Sequence, residues 1–119
     1  MTPNARSKAF YEKQGHIAEI VERWSPFPKP FGKRHDFLGV FDLLVLKAGG
    51  EVWGIQATTN SNVSSRINKM QESDAFHKWI KLGGKAAVLG WAKMGPRGKR
   101  KKWESKEIVL ASEKPENDI

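Results

Sequence analysis

The chain has 119 residues, of which 39% are hydrophobic, and 21 Lys and Arg against 13 Asp and Glu give it a formal charge of +8 and a pI near 9.9. Such a length supports one core and is too short for two ordinary domains, so a single domain over 1–110 is expected, followed by a flexible tail over 111–119. The absence of cysteine excludes disulfides, thiolate nucleophiles and cysteine-ligated zinc or iron–sulfur centres, and points to a reducing compartment. No apolar run is long enough to span a bilayer, and Met1 to Lys13 lacks the apolar centre of a secretory signal, so a soluble, cytoplasmic protein with no membrane partner is expected. The cationic excess points to a polyanionic partner, because each phosphate neutralised by a cation releases a condensed counterion.

Thr2-Pro3 predicts a helix start, with Thr2 as cap and Pro3 in the first turn, and Gly15 ends that helix after Lys13. Ile17, Ile20 and Val21, following Gly15, predict a half-buried strand over His16 to Trp24. Three alternating prolines between Ser25 and Gly32 forbid helix and central strand alike, and predict a loop followed by Lys33, Arg34 and His35. Val40 to Leu46 reads as a central strand, Lys47 to Glu51 as a hairpin turn, and Val52 to Thr59 as the returning strand. Val63, Ile67 and Met70, then Phe76, Trp79 and Ile80, recur at helical spacing, with Ser73-Asp74 able to divide the helix and Gly83-Gly84 ending it. Lys85 to Trp91 and Trp103 to Leu110 predict two further strands around a turn at Gly95 to Gly98. The order α-β-β-β-α-β-β defines an α/β domain in which helices flank a mixed sheet.

Asp42 is the anomaly in this pattern, since a carboxylate within an apolar strand is costly unless it is hydrogen-bonded, paired or bound to a metal. A hairpin pivoting symmetrically on Gly49 sets Asp42 opposite Gln56 unless a bulge shifts the pairing by a residue, and strand alternation turns Thr58 to the same face while Trp53, Ile55 and Ala57 point the other way. Two readings compete. In one, Asp42 and Gln56 form a buried hydrogen bond that only secures register. In the other, the Asp42 carboxylate, the Gln56 amide oxygen and the Ala57 carbonyl are hard oxygen donors for Mg²⁺ or Mn²⁺. Asp36, in the preceding loop, is a metal ligand candidate ranked below Asp42, its first expected role being a local turn or an ion pair with Arg34.

On these residues the chain resembles the PD-(D/E)XK nuclease superfamily, and within it small phage proteins related to Holliday-junction resolvases. The resemblance is carried by Lys33-Arg34, by Asp36-Phe37-Leu38-Gly39-Val40-Phe41-Asp42 and by Gly54-Ile55-Gln56-Ala57-Thr58. Ser65-Arg66, Lys69, Trp79 and Gly90-Trp91 extend it over most of residues 6–110. It implies a restriction-endonuclease-like core and Mg²⁺-dependent hydrolysis of DNA phosphodiesters, often by a homodimer acting on branched DNA, in the host cytoplasm if the chain is phage-encoded. Asp42 then matches the metal-binding aspartate and Gln56 the second acidic position. Thr58 stands where the family has a lysine whose charge threonine lacks. Lys69, one turn after Arg66 on the next helix, is a candidate replacement. Glu12 matches a first-helix glutamate that adds to the metal site in resolvase relatives.

Arg97, Lys99, Arg100, Lys101 and Lys102, together with Lys93, crowd the segment between Trp91 and Trp103. On a hairpin tip they would grip DNA phosphates, with Lys33, Arg34 and Arg66 as further contacts. The tryptophans at strand positions read as core, or as platforms for bases. Two functions from different classes fit this sequence: a metal-dependent, structure-selective DNA endonuclease, and a catalytically impaired nuclease-fold protein that only binds DNA. A third, binding of a host protein through exposed aromatics, is weaker.

Overall fold

The computed structural model describes residues 1–111; of the expected tail only the exposed Ala111 falls within it, and 112–119 lie outside the described residues. Helix α1 spans Pro3–Lys13, with the Thr2 hydroxyl accepting the Ala5 N–H at 3.1 Å and Gly15 taking up φ +91° just beyond it. Strands β1 (Ile17–Ile20), β2 (Arg23–Ser25), β3 (Lys33–His35), β4 (Leu43–Lys47) and β5 (Glu51–Thr59) come after it. Helices α2 (Val63–Gln71) and α3 (Asp74–Lys81) are next, then β6 (Lys85–Met94) and β7 (Lys102–Leu110). Ser73 does divide the predicted helix: its hydroxyl caps α3 by accepting the Phe76 N–H at 3.3 Å.

The fold is α/β, with a mixed five-stranded sheet ordered β1-β4-β5-β6-β7 and helices on its two faces. All neighbouring strands are antiparallel except β5 and β6, whose parallel pairing is made possible by the α2–α3 crossover. Leu43, Val45, Ile55, Ala57 and Leu89 pack with Tyr11 on the α1 side. Val88 and Ala86 pack with Val63, Met70, Phe76 and Phe41 on the other. Gly54 and Gly90 let this second layer approach closely, since a Cβ on Gly54 would lie 2.6 Å from the Phe41 ring and one on Gly90 2.5 Å from Val63. Among the described residues no helix is long and apolar enough to cross a membrane.

The elements depart from expectation in three places, the first being the strand expected over Val40 to Leu46, which begins only at Leu43 because Phe41 bridges to Phe37 and leaves Asp42 outside it. The strand predicted over His16 to Trp24 is broken at Val21 and Glu22, whose N–H groups both donate to the Asp42 carbonyl, at 2.8 and 3.2 Å. The chain thereby leaves the sheet, and β2 pairs instead with β3, so that Lys33 to His35 form a strand in a separate two-stranded ribbon. The strand after the crossover is also longer than predicted, with pairs continuing past Trp91 as far as Met94 and Lys102.

Candidate metal centre

Leu43 pairs with Ile55, a register that would set Asp42 opposite Gln56, but the Asp42 N–H also donates to the Ile55 carbonyl at 2.8 Å, so Asp42 sits in a bulge one step off that pairing. Strand β4 begins only after Asp42, so beyond Ile55 the edge of β5 that faces β4 is free of the ladder. By alternation the Ala57 N–H and C=O face this gap as those of Ile55 do. The Asp42 Oδ2 fills it, accepting the Ala57 N–H at 3.1 Å. The Asp42–Gln56 hydrogen bond, one of the two readings of this pair, is not formed. The Gln56 Oε1 is buried without a partner, although the residue is only 5% exposed.

Two further carboxylates converge on Asp42. Phe37 and Phe41 form an antiparallel bridge closed by N–H···O bonds of 2.8 and 3.0 Å, with Leu38 and Gly39 at φ 57° and 70° in the turn. One step outside that bridge, Asp36 and Asp42 stand side by side. The break at Val21 and Glu22 brings the third carboxylate, and one carboxylate oxygen from each of Glu22, Asp36 and Asp42 lies within 4.8 Å of the others. Burial, and then the Asp36 and Glu22 charges, push the Asp42 carboxyl up to about 7 against the lowering effect of the Ala57 N–H. A cavity of about 540 Å³ opens over the cluster, lined also by Gln56, Ala57, Arg34 and Arg66.

Of the residues singled out from sequence, Asp42, Gln56 and Ala57 meet at this cavity, and Arg34 and Arg66 rim it. Lys69 lines a small adjoining space of about 100 Å³ with Arg66, Asp36 and Gln56. Thr58 is buried on the same face as Gln56 but lines neither cavity, because its strand position faces Gly90 of β6 across the sheet interior. Glu12 also stands apart: it pairs with Lys8 at 2.9 Å on the exposed side of α1 and lines a different concavity, beside Trp91. Glu22 occupies the place expected of Glu12, held by the Asn4 amide at 2.5 Å and by Arg34 at 3.4 Å. Arg34 therefore pairs with Glu22 and not with Asp36. Lys33 is exposed on β3, and Arg97 to Lys102 are exposed at the β6–β7 hairpin tip.

Glu22 and Asp36 were the functional candidates that sequence reasoning missed or ranked low. For Asp36 a signal exists: Asp36-Phe37 and Phe41-Asp42 mirror one another about Gly39, the pattern of a chain that folds back on itself. For Glu22 there is none, because its position depends on a bend secured by the carbonyl of a residue twenty positions away. No family model, curated protein or solved structure matches this chain.

Proposed function

We propose that the protein is a divalent-metal-dependent DNA endonuclease of the PD-(D/E)XK kind, with Glu22, Asp36, Asp42, Gln56 and the Ala57 carbonyl as the donor set. The observation that carries this reading is the Gln56 Oε1, a buried amide oxygen with no partner on a residue that lines the same cavity as the three carboxylates. An orphaned buried acceptor costs about 1–3 kcal/mol, and an all-oxygen cluster of like charges adds repulsion that a dication would remove. The donor types fit Mg²⁺ or Mn²⁺, which favour carboxylate and carbonyl oxygen. When bound, such an ion supplies Lewis acidity to a phosphodiester and lowers the pKa of coordinated water.

The protein's own residues do the rest. Asp42, restrained by the Ala57 N–H, gives the centre a preformed shape. Arg66 and Lys69 on α2 set positive charge against a phosphate entering the cavity, and Lys69 is the group placed to orient or deprotonate water. Branched DNA is the substrate class, and since a four-way junction has paired strands to cut, a homodimer is the expected form, measurable by light scattering.

The test is cleavage of a labelled four-way junction and a matched linear duplex with Mg²⁺ or Mn²⁺, comparing wild type with Asp42→Ala. Metal-dependent cutting that the variant loses is expected. Undiminished cutting by the variant would refute the assignment of the centre, and binding without any cutting would favour the impaired, DNA-binding reading.

A further inference from the structure

Ten of the chain's 21 Lys and Arg, and none of its 13 Asp and Glu, lie in two segments, 23–35 and 92–102. Both segments are two-stranded ribbons that leave the same pole of the sheet. Strand β1 runs parallel to β5 and ends at Ile20, in the row of Leu43 and Ile55, after which the chain enters the β2–β3 ribbon. Strand β6 also runs parallel to β5, and its pairing with β7 continues three rows past the last β5 pair, Thr59 with Trp91, roughly 10 Å beyond the sheet. The roots of the two arms, β1 and the β6–β7 pair, are three to four strand spacings apart, roughly 17 Å. The carboxylate cluster lies between those roots, at the start of β4 and beside Ala57 of β5.

The two arms carry different chemistry. The β6–β7 arm is cationic throughout, and among the described residues none of its side chains is in an ion pair. Its root is braced against α1 by Arg6, whose guanidinium lies 3.8 Å from the centre of the Trp103 ring. The β2–β3 arm joins Arg23, Lys29, Lys33 and Arg34 to three aromatic rings left in water: Trp24, Phe27 and Phe31 are 62%, 63% and 87% exposed. Its tip is closed, with the Phe27 N–H bonded to the Ser25 hydroxyl at 3.3 Å and the Gly32 N–H to the Pro28 carbonyl at 2.9 Å. Trp24 also lines the cavity over the carboxylates.

Cations alone serve a phosphate backbone, whereas exposed rings interleaved with cations serve unpaired bases, whose faces stack on aromatics. We infer that the β2–β3 ribbon stacks on unpaired bases while the β6–β7 ribbon holds flanking duplex DNA, so that the protein seats on a boundary between paired and unpaired strands. A two-stranded ribbon enters the B-form major groove, about 12 Å wide, but not the deep, narrow groove of A-form RNA. The inference rests on the proposed function only in taking DNA as the polyanion.

The experiment measures binding in chelator, where cutting plays no part, so that a failed nuclease reading and a failed arm assignment give different results. Wild-type protein is titrated with a DNA fork bearing 2-aminopurine at its first unpaired position, with a blunt duplex of equal length, and with an RNA fork, each over a range of salt. The DNA fork is expected to bind roughly tenfold or more tighter than the duplex, with quenching of the probe. Phe27→Ala/Phe31→Ala should abolish that preference and the quenching while keeping the salt dependence, and Phe27→Tyr/Phe31→Tyr should restore both. Arg97→Ala/Lys99→Ala/Arg100→Ala/Lys101→Ala should lower the slope of log K against log salt by about 3 and leave the fork-to-duplex ratio intact. Equal binding of fork and duplex by wild type, an unchanged ratio in the Phe→Ala variant, or an RNA fork bound as tightly as DNA would each overturn the inference.

Discussion

Replacing Asp42 by Asn should make the protein more stable, although it removes the central residue of the proposed site. Asp42 is 6% exposed, and its carboxyl is raised from the ordinary 3.8 to about 7 by burial and by the Asp36 and Glu22 charges. A raised carboxyl means that the folded state holds the proton more tightly than the unfolded chain. The folded form is therefore favoured below pH 4, and that advantage is lost as pH rises from about 4 to 7. At about 1.4 kcal/mol for each tenfold change in proton affinity, the full cost above pH 7 is on the order of 4 kcal/mol. Asn keeps an oxygen that can accept the Ala57 N–H and carries no charge to desolvate. Thermal unfolding in chelator should show Asp42→Asn melting roughly 10 °C above wild type at pH 8, with the gap closing towards pH 4. Millimolar Mn²⁺ should raise the wild-type midpoint at pH 8 and leave the variant unmoved, because a ligand stabilises only the state that binds it. A variant no more stable than wild type at pH 8, or one equally stabilised by Mn²⁺, would refute the account of a strained carboxylate held for a cation.

Gln56→Leu should gain about 1 kcal/mol in urea unfolding by removing a buried orphan acceptor, and should weaken Mn²⁺ binding about tenfold by calorimetry. Lys69→Met should lower single-turnover cleavage of junction DNA by about 100-fold with binding changed little, the magnitude of a lost proton-transfer group. Gly90→Ala should destabilise the fold by about 1–3 kcal/mol in the same unfolding assay, since its Cβ would meet Val63 at 2.5 Å and the Asn60 backbone at 3.2 Å.

How much of this was legible beforehand depends on the distance over which each feature is decided. The α1 cap, the break at Ser73 and the β4–β5 register all arise from residues within a few positions of one another. That Asp42 would come near Gln56 was legible for that reason, since a short hairpin leaves its register little freedom beyond the bulge that Asp42 takes up. Lys69 beside Gln56 was half legible: helical spacing put it with Arg66, but only packing of α2 against the sheet brought it to Asp36. Glu12 and Thr58 do not line the cavity, because a motif assigns residue types to positions in a chain, whereas here Glu12 pairs with Lys8 on the exposed side of α1 and Thr58 lies buried two residues beyond Gln56 on the same face.

The sequence by itself determined an α/β chain with a carboxylate and an amide brought near one another by one hairpin and a dense cationic segment near its end, because periodicity, turn residues and charge act locally. Only the tertiary structure decided that Glu22 leaves the sheet to join Asp36 and Asp42, that the Gln56 oxygen stays unpartnered, and that two basic ribbons rise from one pole. Those outcomes depend on which backbone groups meet across the sheet, and the two N–H bonds to the Asp42 carbonyl that break β1 link residues about twenty positions apart.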